Sequence, residues 1–416
     1  MAGVRDRRRV APRVAIITFI GGLGGGLVFP ILPALGLQLG ISSFVIGIIV
    51  SANRVSRLAF DAAAGRVVDR LGGRIPLAVG MLIEAVGIFC YDVGLQIGHV
   101  MAWLLVGRIV FGIGSALLMV GAQAVVLGAS RHEDRGRSIA TVRIALSMGM
   151  PAGLVLGGLI ADFASDSAAF LTGAGLTLAG AVVALVLIPA GRTARAPSGG
   201  TKGGGGALAS AKRQVLPVRP VVIASAAFNA MIFLCVQGVL LATLVVLVHV
   251  RGMHLFGLHD QGTAGLVMAV MMACSSALSF TLGRGIDRLR MRTTVILPAL
   301  VVLCAGFVLL ALAQGLPMLF AGVVLIGCSF NGVSLPLLAL LGDVTDPERY
   351  GHAVGTYQMF GDVGGSIGPV LGLVAGARIG LLPTYFGLAA LIGASCLVAI
   401  WLARLEKRAL DVAAHG

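Results

Sequence analysis

The stretch GRVVDRLGGR, residues 65 to 74, separates two apolar runs, and a related stretch, GRGIDRLRMR, recurs at residues 283 to 292. Glycine, aspartate and arginine occupy matching positions in the two copies, which lie 218 residues apart. A second pair of segments, residues 136 to 157 and residues 351 to 372, matches at an offset of 215. The sequence therefore predicts two duplicated halves.

The runs around these loops are about twenty residues long, which is the length of an α-helix that crosses a bilayer. The chain is 58% hydrophobic and only 12% charged, whereas a soluble domain has roughly 25% charged residues. The predicted fold class is an all-α integral membrane protein with 12 transmembrane helices in two pseudo-symmetric six-helix bundles. The predicted spans are 14–36, 44–65, 75–95, 101–128, 138–161, 168–190, 220–249, 263–283, 293–314, 318–341, 353–376 and 383–403.

Basic residues lie mainly in alternate loops. One set of loops, together with both termini, carries 25 of the 31 Lys and Arg residues, and the opposite set carries only Arg251 and Arg378. Basic residues favour the cytoplasmic side, so both termini are expected there, in the cytoplasmic (inner) membrane of a bacterium. Because the net charge of +14 follows the loops, no nucleic-acid partner is expected.

The longest polar stretch divides six runs from six. It is rich in Gly, Pro and basic residues, a composition typical of a linker. The predicted organisation is an N-terminal six-helix bundle (1–190), a cytoplasmic linker (191–219), a C-terminal six-helix bundle (220–403) and a cytoplasmic tail (404–416).

Three motifs resemble those of one family. The pattern G-x3-D-R-x-G-x-R in the loop after span 2 resembles the most widely shared motif of the major facilitator superfamily, although Gly73 stands where that family usually has a second arginine. Arg108, Gly112 and Gly114 in span 4 resemble its R-x3-G-x-G motif. Helix-bending glycine and proline residues in spans 5 and 11 resemble the motif of its drug or metabolite:proton antiporter branch: Gly149, Pro151, Gly153, Gly368 and Pro369.

The resemblance implies two bundles that expose a shared cavity to each side of the membrane in turn, as such duplicated transporters do. It also implies a conformational latch at the cytoplasmic ends of spans 2 and 8. The alternative is that the same residues are solvated loop charges. The latch residues would be Gly65, Asp69, Arg70, Gly72, Arg74, Asp287, Arg288 and Arg292.

Ionisable residues inside the apolar runs are candidates for proton coupling or for the substrate cavity, because charged side chains in a membrane usually face a cavity or each other. They form either a permanent ion network or a site where Asp61 or Glu84 exchanges a proton, and Asp362 has no evident partner. Four arginines against three acids favour an anionic or zwitterionic substrate. The candidates are Arg54, Arg57, Asp61, Glu84, Arg108, Arg143 and Asp362.

The predicted function is proton-coupled export of a small amphiphilic compound, such as a drug or a siderophore-like or lipid-linked metabolite, by alternating access. Uptake by proton symport is the alternative, and an integral membrane transferase is a more remote one, since the sequence contains no H-x4-D or HExxH motif. No enzymatic activity, cofactor or metal is expected, and His249, His254 and His259 do not share a helix face. The expected partners are a small-molecule substrate, protons and the lipid bilayer, and the chain is expected to be a monomer.

Overall fold

The computed structural model describes residues 10–130, 135–188, 218–286, 291–345 and 350–415. Within these ranges the regular structure is entirely helical. The α-helices are α1 (Val10–Val28), α2 (Ile31–Gln38), α3 (Ser43–Leu71), α4 (Arg74–Ile97), α5 (Val100–Ala129), α6 (Arg135–Phe163), α7 (Asp166–Leu187), α8 (Val218–Ile232), α9 (Leu241–Val250), α10 (Asp260–Ile286), α11 (Ile296–Leu312), α12 (Leu316–Val344), α13 (Tyr350–Arg378) and α14 (Leu381–His415). A π-helix (Phe233–Leu240) joins α8 to α9, and a 3-10 turn (Arg292–Val295) precedes α11.

Twelve helical stretches in the described ranges are long and apolar enough to cross a membrane, which confirms the predicted fold class. Their ends lie within a few residues of the predicted ones, because each apolar run is bounded by charged or glycine-containing loops. Spans 1 to 12 are Val10–Gln38, Ser43–Leu71, Arg74–Ile97, Val100–Ala129, Thr141–Phe163, Asp166–Leu187, Pro220–Val250, Asp260–Ser279, Arg292–Leu312, Leu316–Val344, His352–Arg378 and Leu381–Arg408.

The chain divides into two compact units. Unit 1 comprises Met1–Pro197 and Leu244–Ala269, and unit 2 comprises Ser198–Thr243 and Val270–Gly416. The grouping follows the two sequence halves except at Leu244–Ala269, the end of span 7 and the start of span 8, which pack in unit 1. Spans 7 and 8 therefore each contribute residues to both units.

Glycines bring spans 3 and 4 of unit 1 into close contact. A Cβ atom on Gly80 would lie 2.7 Å from the carbonyl oxygen of Gly114, and one on Gly87 would lie 2.8 Å from that of Gly107. Such distances are too short for any larger residue, so the two helices can approach this closely only with glycine at these positions. The contact buries the polar side chains that lie between these glycines.

The same construction joins spans 1 and 5. Gly149, Gly153 and Gly157 lie one helical turn apart on span 5, and a Cβ atom on any of them would overlap a carbonyl oxygen of span 1. These oxygens belong to Phe19, Leu23 and Leu27. Pro151 lies inside the same helix; bending of the helix there stays a prediction.

Unit 2 repeats this construction between spans 7 and 11. Gly364 would overlap the backbone of Ala230 if it carried a Cβ atom, and Gly368 packs against Gly238. Gly364 and Gly368 are the residues that the offset of 215 aligns with Gly149 and Gly153, so the aligned glycines make the same kind of contact in both halves. Gly238 lies in the π-helix of span 7, a distortion that is frequent at functional sites.

A buried carboxylate joins the ends of two spans in unit 2, and a neighbouring ion pair connects them to a third. Glu406 of span 12 is fully buried and accepts hydrogen bonds from the backbone N–H groups of Arg292 and Thr293, both at 3.0 Å, and from the Thr293 hydroxyl at 2.7 Å. It therefore caps the first turn of span 9, whose N–H groups have no partner within the helix. Arg292 Nε also donates to Asp343 of span 10 at 3.2 Å.

Replacing Glu406 with Ala is expected to lower the free energy of unfolding by on the order of 2 to 3 kcal/mol, because buried donors would lose their acceptor. Thermal unfolding in detergent would measure the change. Glu406→Gln, which keeps one acceptor oxygen, should lose less, and Lys407→Ala on the exposed neighbour should lose little. Equal stability of Glu406→Ala and Lys407→Ala would contradict the capping role.

Candidate functional site

Glu84 is the most deeply buried acid among those predicted site residues that the structure describes, with 1% of its surface exposed. Its carboxyl group interacts with Ser115 of span 4, and Oε2 has no hydrogen-bond partner among the described residues. Gly21 of span 1 lies beside it, since a Cβ atom there would be in van der Waals contact with Oε2 at 3.7 Å. Burial of an ionised carboxylate without a partner is costly, so such a group in a membrane is a candidate for a functional role.

Buried apolar side chains of span 3 lie one turn before and one turn after Glu84. Met81, one turn before Glu84, belongs to one buried apolar cluster of unit 1, and Ile88, one turn after it, belongs to a second. Glu84 therefore lies between two apolar layers, where water has little access.

Arg108 of span 4 is also buried, at 2% exposure, and its Nε and Nη2 atoms have no hydrogen-bond partner in the described part of the chain. Its guanidinium carbon lies 5.7 Å from the centre of the Phe29 ring, a cation–π contact. Tyr91 of span 3, whose hydroxyl has no described partner either, is within electrostatic range of both Arg108 and Glu84. Unit 1 thus encloses an acid, a phenol and a guanidinium group, each with unused hydrogen-bonding capacity.

The charged residues of span 2 are in a different setting. Arg54, Arg57 and Asp61 are partly buried, and each has an interaction partner. The groups found next to Glu84 come instead from spans 1, 3 and 4. Of the two acids considered for proton exchange, Glu84 is therefore the one enclosed in the protein.

The other predicted cavity residues are less enclosed. Arg143 is exposed on span 5, and Asp362 is partly buried on span 11. Asp362 does have an interaction partner, so the expectation that it lacks one was wrong.

The latch residues after span 2 lie where the motif predicts. Asp69 and Arg70 are exposed at the end of the helix, and Gly72 ends it with a positive φ of 76°, which a glycine adopts without strain. The Arg74 side chain donates to the carbonyl oxygen of Leu185 in span 6. Of the corresponding residues after span 8, Arg292 is bonded as described above, whereas Asp287 and Arg288 lie outside the described residues.

The charge count given above omits one acid of the predicted span 75–95, and the structure shows that this acid is buried. Asp92 of span 3 is 6% exposed and accepts a hydrogen bond from the Ser167 hydroxyl of span 6. With Asp92 included, the four arginines inside the spans face four acids, so the argument from excess positive charge was wrong. Arg108 is the buried one of these four arginines, and its Nε and Nη2 atoms could bind an anionic group.

Three histidines near the start of span 8 do not form a metal site in the described structure. His249 Nδ1 lies 2.6 Å from Asp260 Oδ2, and His254 Nδ1 lies 3.9 Å from Asp260 Oδ1. Among the described residues, no group of three or more His, Cys, Asp or Glu side chains could hold a metal ion.

Comparison with known families fits this architecture. The family model described as Major Facilitator Superfamily matches residues 14–258 and 255–414. The chain belongs to the major facilitator superfamily. The resemblance inferred from the motifs is thereby confirmed.

Curated relatives from this superfamily include two bacterial proteins named for drug resistance. Multidrug resistance protein 1 of Bacillus subtilis is 30% identical over 169 residues, which is 41% of this chain and 42% of that protein. Quinolone resistance protein NorA of Staphylococcus aureus is 25% identical over 166 residues, 40% of this chain and 42% of that protein. The chain therefore spans about two fifths of the length of the curated relatives it matches.

Solved structures share the fold over nearly the whole chain. The nucleoside transporter NupG has a TM-score of 0.72 at 14% identity and covers 94% of this chain and 98% of its own. The human organic anion transporter MFSD10 has a TM-score of 0.64 at 17% identity, with 94% and 99% coverage. A structure titled for substrate recognition in proton dependent oligopeptide transporters has a TM-score of 0.73 at 15% identity, with 97% and 100% coverage.

Proposed function

We propose that this chain exports a small amphiphilic compound in exchange for protons, and that Glu84 is the group that carries the proton. The observation that supports this most strongly is the enclosed Glu84 carboxyl group with its unpartnered Oε2. Family membership makes solute transport the role in which such a group is expected.

Proton exchange at Glu84 requires that its surroundings differ between two states of the protein. A carboxylate is stabilised by a nearby cation or by hydrogen-bond donors and is destabilised by an apolar setting. In the described structure, Ser115 is the hydrogen-bonding neighbour of Glu84, and Tyr91 is within electrostatic range of both Glu84 and Arg108. A rearrangement that brings donors to Glu84 would release its proton, and a return to the enclosed state would favour proton uptake.

The substrate class follows from Arg108 and from the relatives. Arg108 holds two unpartnered guanidinium nitrogens, and arginine is well suited to bind carboxylates. Two relatives are named for multidrug and quinolone resistance, and quinolones are amphiphilic compounds that carry a carboxyl group. We therefore propose an anionic or zwitterionic amphiphile as substrate. A quinolone is a suitable test compound, because the relative NorA is named for quinolone resistance.

Export is distinguished from uptake by the direction of flux under an imposed pH gradient. Purified protein in liposomes should accumulate a quinolone when the lumen is more acidic than the outside, because protons leaving the lumen would drive the drug inward. Accumulation only when the outside is more acidic would establish symport and refute export. This result does not depend on the orientation of the protein in the liposome.

We further propose that the chain acts as a monomer in the bacterial cytoplasmic membrane with both termini in the cytoplasm. The charge distribution along the loops supports this orientation.

The latch proposal yields a separate prediction. Asp69→Asn should lower the rate of transport about tenfold, because the proposed latch would lose its charge. The amount of folded protein should stay unchanged, because the Asp69 side chain is exposed. The rate of quinolone flux and the yield after size-exclusion chromatography would measure both effects. Arg66→Gln, a charge change on the same exposed turn, is the matched control, and wild-type flux in Asp69→Asn would refute the assignment.

A further inference from the structure

Two thiol groups lie against each other between spans 8 and 10 of unit 2. The side chains of Cys274 and Cys328 are joined by a hydrogen bond. Each residue lies near the middle of its helix, α10 or α12, and each is partly buried. Cysteine side chains are short, so a bond between them requires that the two backbones approach closely. We refer to Cys274 and Cys328 as the thiol pair.

Neighbouring residues hold the two helices together on both sides of the thiol pair. A Cβ atom on Gly327 would lie 2.3 Å from the carbonyl oxygen of Met271, so the helices can approach this closely only with glycine at this position. On the other side, Asn331 Nδ2 donates to the carbonyl oxygen of Ser275 at 2.9 Å and to its hydroxyl oxygen at 2.6 Å. These contacts position the two sulfur atoms without any contribution from the thiols themselves.

A second pair of neighbouring thiols in unit 2 is arranged differently. Cys304 of span 9 and Cys396 of span 12 are within electrostatic range of each other and are also partly buried. Cys304 Sγ donates to the carbonyl oxygen of Ala389 at 3.4 Å, and Cys396 Sγ donates to that of Ile392 at 3.7 Å. These two thiols are therefore bonded to the backbone, whereas the members of the thiol pair are bonded to each other.

Small side chains beside the thiol pair leave it accessible to a small ligand. Ala273 and Ala277, on either side of Cys274 along span 8, are exposed. Cys90 and Cys235, by contrast, are buried. The thiol pair thus combines two adjacent sulfur atoms with a partly open surface.

Two adjacent sulfur atoms are suitable ligands for a soft metal ion. Zinc requires about four ligands, and among the described residues no group of three or more His, Cys, Asp or Glu side chains could hold a metal ion. Two ligands are sufficient for a cation that coordinates linearly, such as mercury(II). Two thiolates also neutralise the charge of a divalent cation, and a neutral complex is favoured in the apolar surroundings of a membrane span.

We propose that Cys274 and Cys328 bind one soft divalent cation with linear coordination, for which mercury(II) is the probe. Binding of uncharged HgCl2 breaks two S–H and two Hg–Cl bonds and forms two Hg–S bonds. Two protons and two chloride ions are released, and no atom changes its oxidation state. The bound ion links span 8 to span 10. This site is independent of the proposed transport function and of Glu84.

Mass spectrometry of the intact protein would test the site. Reduced protein would receive one equivalent of HgCl2 and would then be washed with excess glutathione, which removes mercury from single thiols. Wild-type protein should retain one mercury per chain, with two protons lost and no chloride kept. Cys274→Ser and Cys328→Ser should each retain at least about a hundredfold less, because two positioned thiols hold the ion at a high effective concentration.

Cys304→Ser and Cys396→Ser are the matched controls and should retain mercury as the wild type does. Bound mercury should also raise the temperature of thermal unfolding in the wild type and in these controls, but not in folded Cys274→Ser, because a ligand that binds only the folded state stabilises it. Wild-type retention in Cys274→Ser, or an equal loss in Cys304→Ser, would overturn the proposal. So would a wild-type adduct that keeps one chloride, since its mercury would be bound to a single thiol.

Discussion

Glu84→Gln is expected to abolish the accumulation of a quinolone under an imposed pH gradient, with a loss of at least about a hundredfold relative to wild type. Glutamine has nearly the same size and fits the enclosed site beside Ser115, but it cannot bind or release a proton. Exchange of labelled for unlabelled drug across the liposome, which needs no net proton movement, should persist. Both fluxes can be measured in the same preparation.

Asp92→Asn is the matched control for this substitution. Asp92 is a buried acid of the same span, but it is bonded to Ser167 and the proposal gives it no role in coupling. Gradient-driven accumulation should therefore survive in Asp92→Asn and should be partly retained in Glu84→Asp. If Glu84→Gln still accumulated the quinolone under the imposed pH gradient, a residue other than Glu84 would have to carry the proton.

Gly157→Ala is expected to have the largest effect on folding, because its Cβ atom would overlap the carbonyl oxygen of Leu27 and the backbone there can give way only if span 1 moves. A cost on the order of 3 kcal/mol follows from overpacking of this kind. We expect the yield of folded protein after size-exclusion chromatography to fall severalfold. Gly364→Ala should behave in the same way in unit 2, where it meets the backbone of Ala230.

Two glycines in open positions provide the control. A Cβ atom on Gly175 or on Gly387 would meet nothing within 4 Å, so alanine there should be tolerated and should favour the helix slightly. If Gly157→Ala folded as well as Gly175→Ala, close packing of spans 1 and 5 would not require glycine.

The spans could be predicted from the sequence because a membrane helix must be apolar over its whole length, and each loop interrupts that pattern. The duplicated glycines, Gly149 and Gly153 with Gly364 and Gly368, were also visible, since the offset of 215 between the two related segments aligns them. The sequence predicted that these glycines bend spans 5 and 11. The structure shows a second role, because the glycines let these spans contact the backbone of spans 1 and 7.

Polar partners between distant spans could not be predicted in the same way. Asp162 and Glu406 lie near the ends of apolar runs and look like ordinary interfacial charges in the sequence. The hydrogen bonds that they accept from backbone N–H groups depend on which helix end packs beside them, and this is set by tertiary packing. Asp92 is different, because it lies inside the predicted span 75–95 and is visible in the sequence; only its partner Ser167, 75 residues away, required the structure.

The packing of Leu244–Ala269 in unit 1 was equally hidden. The predicted linker, 191–219, separates the two sequence halves, but the hydrogen bonds from the backbone N–H groups of His259 and Gly262 to Asp162 of span 5 hold the start of span 8 within unit 1. A boundary between duplicated halves therefore need not coincide with a boundary between compact units.

Proton release on substrate binding is the most direct test of the central proposal, that an enclosed acid exchanges a proton for the exported compound. Purified protein in weakly buffered detergent solution would be mixed with a quinolone while a pH-sensitive dye reports the proton concentration. Wild-type protein should release about one proton for each drug molecule bound, and Glu84→Gln should bind drug without releasing any. Drug binding by the wild type with no proton release, or equal release by Glu84→Gln, would contradict the proposal.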